Sequence, residues 1–223
     1  MFLNKLIHRN PNFVRSVVEL HQADQLPANS YVLDLDILQK NAALMAAEGK
    51  RLDLKVFPMT KQIGRNPRAL ECLEKEGLNA FVAVDMMCAL PIHANGHNIG
   101  HLGHLVQIPK AEISTAVGMN PIHWTVFNKK NTELAAFASQ KQGKVQKFLT
   151  RIFSNKDTFY MGHEGGFRAE DILKVADFID NLRGGEFSGI TTFPALLFNQ
   201  DTKSIEKTQN MVTLEKAANI LRN

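Results

Sequence analysis

The residue of this sequence best placed to do chemistry is a lysine that follows a short apolar run. Lys61 comes just after residues 54–58 and is followed by Gly64, Arg65 and Pro67. If the run is a strand of a parallel sheet, the lysine lies at its carboxyl end, which is the edge where α/β barrels place reactive side chains. An amine in such a position can attack a carbonyl carbon and form a Schiff base. The alternative is an ordinary surface lysine exposed to solvent.

Several other polar or aromatic side chains lie near predicted strand ends. Arg65 and Arg68 fall within the first turn after the lysine segment, where both are compatible with ordinary exposed charges. Tyr160 and His163 lie in a glycine-containing loop that follows a predicted strand, a place where barrels keep substrate-binding residues. The same loop is also compatible with an ordinary polar surface. Phe193, at a later strand end, packs either in the core or against a planar ligand.

Four histidines at short intervals raise the question of a metal site, because two imidazoles one helical turn apart can share a metal ion. They are His93, His97, His101 and His104. Pro91 and three glycines interrupt this segment, so we predict the end of a helix, a loop and the start of a strand instead. The histidines would then lie on the amino-terminal side of that strand, away from the edge where barrels do chemistry. We therefore predict no metal site.

Length and composition are those of an ordinary globular protein. The 223 residues are 44% hydrophobic and 22% charged, values that suit a single domain and exclude a disordered or collagen-like chain. The net charge is +4, and because the basic residues are spread along the chain, we expect no nucleic-acid partner. Cys72 and Cys88 are the only cysteines, which indicates free thiols in a reducing compartment, and we expect a cytoplasmic protein.

The first twenty residues give no sign of export or of a membrane anchor. They carry Lys5, Arg9, Arg15 and Glu19, so they lack the uninterrupted apolar segment of a signal peptide. No stretch of the sequence approaches the roughly 18 apolar residues that a membrane span needs. We therefore expect no membrane partner.

Short β-rich runs alternate with longer amphipathic runs, a pattern typical of repeated βα units and a parallel sheet. The short runs are rich in Val, Ile, Leu and Phe, which favour strands. We predict strands at residues 31–35, 54–58, 80–84, 104–108, 124–127, 148–153 and 189–193. The fold class expected from this pattern is α/β.

Capping residues mark the ends of the predicted helices. Asn66 and Pro67 predict the start of a helix that Gly77 ends, and Asp85 predicts the cap of a helix over residues 86–90. Other glycines mark further helix ends. The remaining predicted helices cover residues 130–142, 168–182 and 205–221.

The motifs around these elements resemble those of the alanine racemase family. The similarity covers residues 31–41, 59–67, 104–109 and 191–194, and its register holds over nearly the whole chain. It is strongest to a racemase-like bacterial branch of the family. Members of that family are pyridoxal-phosphate enzymes of fold type III, built on a (β/α)8 (TIM) barrel. The resemblance implies the same barrel lineage, pyridoxal 5′-phosphate as cofactor, and a small amino acid as substrate.

Carried over residue by residue, Lys61 matches the lysine that holds the cofactor as a Schiff base and transfers the α-proton of the substrate. Arg65 stands where the family has a tyrosine that touches the cofactor phosphate, and the resemblance implies the same contact through charge-assisted hydrogen bonds. Arg151 stands where the family has a lysine near the substrate. Thr192 replaces a histidine beside the cofactor ring. Residues 163–167 replace a motif whose arginine touches that ring.

The resemblance also sets an expectation about completeness. Counted from residue 54, about six of the eight barrel strands are present, so residues 1–223 are expected to form an incomplete barrel domain without the carboxyl-terminal β domain of true alanine racemases. An open sheet exposes its edges and the apolar barrel lining, so we expect an unstable chain or a homodimer. Three functions remain open: a racemase-like enzyme, a non-catalytic carrier of pyridoxal phosphate, and an inactive remnant.

Overall fold

The computed structural model describes residues 2–222, which divide into two compact units. The first unit contains the described residues up to 56 together with residues 68–77, and the second contains residues 57–67 and the described residues from 78 onward. The first unit holds α1 (Phe2–Arg9), α2 (Pro11–Gln22), α3 (Leu35–Arg51) and nearly all of α4 (Pro67–Lys75). The parallel sheet belongs entirely to the second unit.

Side-chain caps define the helices of the first unit. Asn10 accepts from the N–H of Phe13 at 3.2 Å and donates to Asp34 at 2.9 Å. Asp34 in turn accepts from the N–H of Ile37 at 3.0 Å and so caps α3. The strand predicted for residues 31–35 is therefore wrong, because the chain there is irregular and then helical. The aspartate satisfies a free N–H at the helix start, which outweighs the β preference of a short apolar run.

The second unit is built on a six-stranded sheet whose pairings are all parallel. Its strands are β1 (Ala80–Ala83), β2 (Asn98–Leu102), β3 (His123–Val126), β4 (Gln146–Phe153), β5 (Phe167–Arg168) and β6 (Gly185–Thr191). The first four pair in chain order, and β4 also pairs with β5 and β6. The intervening helices are α5 (Met86–Ala94), α6 (Ile113–Gly118), α7 (Lys129–Lys141) and α8 (Ile172–Asp180). The predicted α/β fold of barrel lineage is confirmed, and the carboxyl ends of its strands share one edge.

The core lies between this sheet and its helices. Trp124, Phe148 and Ile152 on the strands, and Ile179 on α8, are at most 3% exposed. Burial of each large apolar side chain of this kind stabilises the fold by about 1.5–3 kcal/mol. Because side chains alternate along a strand, Arg151 points to the face opposite Ile152.

The apolar run before Lys61 is joined to the sheet only at its end, next to β1. Residues 54–58 form no strand, so that prediction is wrong, and Met59 makes a single parallel bridge with Val82. The N–H of Val82 donates to the carbonyl of Pro58 at 2.9 Å. Proline has no N–H to return to a neighbouring strand, which limits the ladder at this point. The lysine nevertheless follows a segment that is paired with β1.

A strand that we expected at residues 104–108 lies earlier in the chain. The prediction is wrong because β2 ends at Leu102, and Gly103 then turns the chain with a φ angle of 70°. This left-handed conformation is readily accessible to glycine, which explains why the strand stops there. His101 consequently lies inside β2, and His104 lies just beyond its carboxyl end. Both histidines therefore belong to the carboxyl edge of the sheet and not to the amino-terminal side that we expected.

Helix α5 extends beyond its predicted end. Asp85 caps it as predicted, accepting from the N–H of Cys88 at 2.8 Å. The helix then continues through Pro91 to Ala94. A proline inside a helix removes one backbone hydrogen bond, but Ile92 beside it is fully buried, and this packing offsets the loss.

The last part of the chain contains more strand than we predicted. The helix predicted over residues 168–182 is shortened to α8 because β5 and a 3₁₀ turn precede it. β6 begins at residue 185 and not at 189. The helix predicted over residues 205–221 begins later, as α9 (Gln209–Arg222). Before it, β7 (Leu196–Asn199) and β8 (Ser204–Lys207) form an antiparallel hairpin that the sequence analysis missed.

Apolar side chains of this hairpin are exposed. Leu196, Leu197, Phe198 and Ile205 each expose between 45% and 67% of their surface. Such a surface is compatible with the expected homodimer, which stays a prediction. None of the helices within residues 2–222 is long and apolar enough to cross a membrane.

Candidate active site

Lys61 lies in a tight turn at the carboxyl edge of the sheet. The turn follows Thr60, which is fully buried, and Lys61 is the first residue of a 3₁₀ turn that ends at Ile63. The N–H groups of Ile63 and Arg65 donate to the carbonyl of Thr60 at 3.2 and 3.3 Å. Gly64 and Arg65 have positive φ angles of 65° and 53°, which allow the chain to reverse. Hydrogen bonds thus fix the backbone that carries the lysine, while the residue itself is exposed.

The side chain of Arg65 is directed at the start of α5. Its Nη2 lies 2.6 Å from Sγ of Cys88, a buried residue in the first turn of that helix. The Nε of Arg65 is buried and has no hydrogen-bond partner in the described part of the chain. One donor of this guanidinium is therefore still available to an anion. The predicted contact with a cofactor phosphate stays a prediction.

Arg151 is a buried cation near the end of β4. It is 1% exposed, and its Nη2 donates to the carbonyl oxygens of His163 and Phe193, both at 3.1 Å. Its guanidinium carbon lies 5.6 Å from the ring centre of Phe127 and 5.7 Å from that of Phe159. Burial lowers the pKa of Arg151 from its ordinary value, and its Nε and Nη1 have no partner among the described residues. A buried charge is costly when it is unpaired, so this arrangement favours an anionic ligand.

A glycine allows the following loop to pass directly over this arginine. A Cβ atom at Gly166 would lie 2.7 Å from the carbonyl oxygen of Arg151 and 3.0 Å from its Cγ. Gly166 also has a φ angle of 133°, which residues with side chains rarely adopt. The loop between β4 and β5 can therefore approach Arg151 this closely only with glycine at that position.

His101 is a buried imidazole inside the sheet. Its ring centre is 5.0 Å from that of His104, and its Nε2 forms a hydrogen bond with Oγ1 of Thr125. Burial, together with the neighbouring imidazoles of His104 and His123, lowers the pKa of His101 to about 3. The side chain is therefore uncharged near neutral pH.

His104 connects the histidine pair to the two cations. Burial is the main cause that lowers the pKa of His104 to about 4, and the charges of Arg151 and Lys61 contribute to the shift. The imidazole of His163 adds to it. His104 is thus neutral near neutral pH, and its buried Nδ1 has no hydrogen-bond partner in the described chain. The charges of Lys61 and Arg151 thus both reach the imidazole of His104.

Aromatic contacts gather the loop after β4 around Phe193. The ring of Phe193 lies 5.6 Å from that of Tyr160, 6.2 Å from that of His163 and 5.7 Å from that of His104. Tyr160 is 48% exposed, so about half of its surface remains open to solvent. Tyr160 and His163, which we predicted to bind substrate, therefore lie with their ring centres 6.4 Å apart. Both rings contact Phe193, which also contacts His104.

Buried polar atoms without partners are concentrated at this edge. Thr192 is 8% exposed, and its Oγ1 has no hydrogen-bond partner among the described residues. The same is true of Oγ1 of Thr60 and of Nδ1 of His163. Buried polar groups in folded proteins are nearly always paired. A ligand that carries several oxygen atoms would satisfy this set.

The histidine series does not assemble a metal centre. Within residues 2–222, no group of three or more His, Cys, Asp or Glu side chains is arranged to hold a metal ion. His97 lies against the ring of Phe81 at 5.7 Å. His101 and His104 contact each other at the edge described above, where the neighbouring charges are positive. Positive charge nearby suits an anion better than a cation.

Sequence reasoning found some of these residues and missed others. The predicted residues Arg151, Tyr160 and His163 lie together, and Lys61 influences the same region through His104. His101 and His104 were assigned to the wrong end of a strand and so excluded from the site. Gly103 is the residue that could have located them, because glycine readily adopts the left-handed conformation with which a strand can end. The buried hydroxyl of Thr60 carried no sequence signal.

The sequence of this chain is related to those of known proteins. A model of the alanine racemase N-terminal domain family matches residues 33–223. The chain is also 32% identical over 217 residues to an uncharacterized protein of Escherichia coli (strain K12), YhfX. That alignment covers 97% of this chain and 56% of the bacterial protein, so the chain spans little more than half the length of this relative.

Solved structures share the fold at low sequence identity. Diaminopimelate decarboxylase from M. jannaschi has a TM-score of 0.62 and 15% identity, over 81% of this chain and 45% of that one. D-threonine aldolase from Filomicrobium marinum has a TM-score of 0.60 and 14% identity, over 74% and 44%. Alanine racemase from Clostridium difficile 630 has a TM-score of 0.59 and 14% identity, over 83% and 45%. These likenesses are evidence for the fold alone.

Proposed function

Because this chain belongs to the alanine racemase N-terminal domain family, we propose that it binds pyridoxal 5′-phosphate through Lys61 and moves the α-proton of a small amino acid, as in racemisation. The cofactor, when bound, withdraws electrons from the α-carbon of the substrate and so makes that proton easier to remove. The residues of this chain supply binding, orientation and the site of proton transfer.

The donor set of the carboxyl edge fits such a cofactor. A phosphorylated pyridine ring carries several oxygen acceptors and negative charge, and the edge offers buried donors without partners on Arg65, Arg151 and Thr192. Charge-assisted hydrogen bonds from guanidinium groups to phosphate or carboxylate are among the strongest in proteins. The neutral imidazole of His104 can donate or accept without adding charge.

Each proposed residue has a distinct task. Lys61 would hold the cofactor through its ε-amine, and once the amino group of the substrate has replaced it there, the freed amine would take or return the α-proton. Arg151 places a fixed positive charge beside the substrate or cofactor, and Arg65 contributes to the phosphate contact. Thr192 offers a hydroxyl near the ring. Tyr160, together with the neighbouring His163, forms the wall that receives the substrate side chain.

One observation carries this proposal more than any other. Lys61 and the buried guanidinium of Arg151 both depress the pKa of His104, although Lys61 follows a segment bridged to β1 and Arg151 lies on β4, with β2 and β3 between those strands. The guanidinium retains unpaired donors there. A nucleophilic amine and a partly unpaired buried cation whose charges both reach one imidazole form an arrangement that suits an anionic carbonyl compound.

Borohydride labelling tests the proposed cofactor site. The chain is titrated with pyridoxal 5′-phosphate, the absorbance band of a Schiff base is recorded, and the adduct is reduced and located by mass spectrometry. We expect one label per chain on Lys61, no band in Lys61→Ala, and an unchanged band in Lys130→Ala, which removes an exposed lysine on α7. Labels scattered over surface lysines would contradict the proposal.

A second measurement separates an enzyme from a carrier of the cofactor. Amino acids are incubated with the loaded chain in deuterium oxide, and exchange of the α-hydrogen is followed by NMR, which detects proton transfer whatever the stereochemical outcome. Exchange that disappears in Lys61→Ala supports a racemase-like enzyme. A Schiff-base band that depends on Lys61, without exchange of the α-hydrogen of any amino acid, would support the cofactor site but refute the proposed reaction.

A further inference from the structure

One amide side chain on α9 connects two segments of the candidate site. Asn210 is 1% exposed, and its Oδ1 accepts from the N–H of Thr158 at 3.0 Å while its Nδ2 donates to the carbonyl of Thr158 at 2.9 Å. Nδ2 also lies 3.3 Å from the carbonyl oxygen of Phe193. The amide therefore satisfies both backbone groups of a loop residue and also reaches the segment that follows β6.

The same loop is held at a second point by Arg151. The Nη2 of this arginine donates to the carbonyls of His163 and Phe193. The carbonyl of Phe193 therefore accepts hydrogen bonds from both Arg151 and Asn210. Asn210 holds the loop at Thr158, and Arg151 holds it at His163. Tyr160 lies between these two points, in a turn closed by the bond from the N–H of His163 to the carbonyl of Tyr160 at 2.9 Å.

A separate contact joins α9 to the beginning of the loop. Oγ1 of Thr213 donates to Asp157 at 2.6 Å and lies 3.0 Å from Oγ of Ser154. This contact stabilises the packing of the helix but does not reach residues 158–163 or Phe193. It offers a matched comparison, because a change at Thr213 loosens α9 without removing the bonds made by Asn210.

We propose that Asn210 is a positioning residue: it orders residues 158–163 and the carbonyl of Phe193, and through them sets the orientation of the Arg151 guanidinium and of Tyr160. This proposal rests on the proposed function, since the groups positioned are those assigned to the substrate and cofactor. The physical reason is that Arg151 has few fixed partners of its own. A buried guanidinium keeps one orientation only when its acceptors are themselves held in place.

Hydrogen exchange of the chain without cofactor tests the positioning directly. In Asn210→Ala, we expect the amides of Thr158 and His163, which donate to Asn210 and to the carbonyl of Tyr160, to exchange about tenfold faster than in the wild type, because loss of the Asn210 bonds favours local opening, while amides of β4 keep their protection. Thr213→Val should affect only the start of the loop, and Asn219→Ala, which changes an exposed asparagine on the same helix, should have no effect. Asn210→Ser, which keeps a shorter polar group, replaces the alanine variant if that variant fails to fold.

The visible circular dichroism spectrum of the chain with bound cofactor provides a second measurement, which loss of stability alone would not change. Well below the unfolding temperature, Asn210→Ala should still be labelled on Lys61, but the visible circular dichroism of the bound cofactor should fall severalfold compared with Thr213→Val. Equal protection of the His163 amide in Asn210→Ala and wild type would overturn the proposal, as would an equal loss of that protection in Thr213→Val. If the wild type is not labelled on Lys61, the proposed function fails, whereas the exchange comparison still decides the role of Asn210.

Discussion

The Nη2 of Arg151 donates to the carbonyl oxygen of Phe193 at 3.1 Å, so a buried cation on β4 is held by the backbone that follows β6. Neutral carbonyls compensate a guanidinium only in part, and no carboxylate pairs with Arg151 in the described part of the chain. Retaining an unpaired charge in this place is costly in free energy. The cost is understandable if an anion completes the site.

The first prediction follows from that cost. In Arg151→Met, the free energy of unfolding of the chain without cofactor should stay within about 1–2 kcal/mol of the wild type, because an apolar side chain of similar length replaces a poorly compensated buried charge. The affinity for pyridoxal 5′-phosphate should fall about tenfold to hundredfold, since charge-assisted hydrogen bonds are lost. Urea unfolding and a spectroscopic titration measure the two quantities.

A matched control for this prediction is Arg183→Met, which changes an exposed arginine before β6. It should leave both the free energy of unfolding and the cofactor affinity close to their wild-type values. A large loss of stability in Arg151→Met together with unchanged affinity would mean that this arginine serves the fold alone.

The second prediction concerns acid stability. The pKa of His104 is lowered to about 4 and that of His101 to about 3, whereas an unfolded chain titrates its histidines near 6.5. Between those values the unfolded state binds more protons than the folded state, so the free energy of unfolding rises with pH. The stability from these neutral imidazoles is complete above about pH 6.5 and is lost as the pH falls toward 4. Each histidine contributes a slope of up to about 1.4 kcal/mol per pH unit.

Variants assign this slope to particular side chains. His104→Gln should lower the slope of unfolding free energy against pH between about 4.5 and 6.5 by up to about 1.4 kcal/mol per pH unit and leave the part that His101 contributes, when followed by urea unfolding at several pH values. His21→Gln, which changes an exposed histidine on α2, should retain the wild-type slope. If His104→Gln keeps the full slope as well, other groups cause the acid sensitivity.

Much of the sheet could be predicted from local sequence, because its central strands are short apolar runs between turn residues. The predictions for residues 80–84, 124–127 and 148–153 agree closely with β1, β3 and β4. β2 could not be predicted in this way because Asn98–Leu102 contains a glycine and two polar residues. Its place between β1 and β3 depends on pairing with both neighbours, and tertiary pairing outweighs intrinsic propensity.

The site shows the same division between local and long-range information. Lys61 and Arg151 could be proposed from their positions after or within apolar runs and from a family resemblance. The contacts of Arg151 could not, because its acceptors lie in a loop and at the end of a different strand. His104 was lost with the misplaced strand, since the role of a residue at a strand end depends on which end it occupies.

The last prediction concerns the loop that covers Arg151. In Gly166→Ala, the new methyl group would meet the backbone of Arg151 at 2.7 Å in addition to an unfavourable φ angle of 133°. Backbone atoms of β4 cannot move without disturbing the sheet, so the loop must shift, and we expect a loss of more than about 2 kcal/mol in unfolding free energy. Gly162→Ala in the same loop has a positive φ angle of 82° but no atom within 4 Å of the added carbon, so it should cost only about 1 kcal/mol. Urea unfolding of both variants gives the comparison, and equal losses would mean that backbone conformation, and not the close approach to Arg151, selects glycine at position 166.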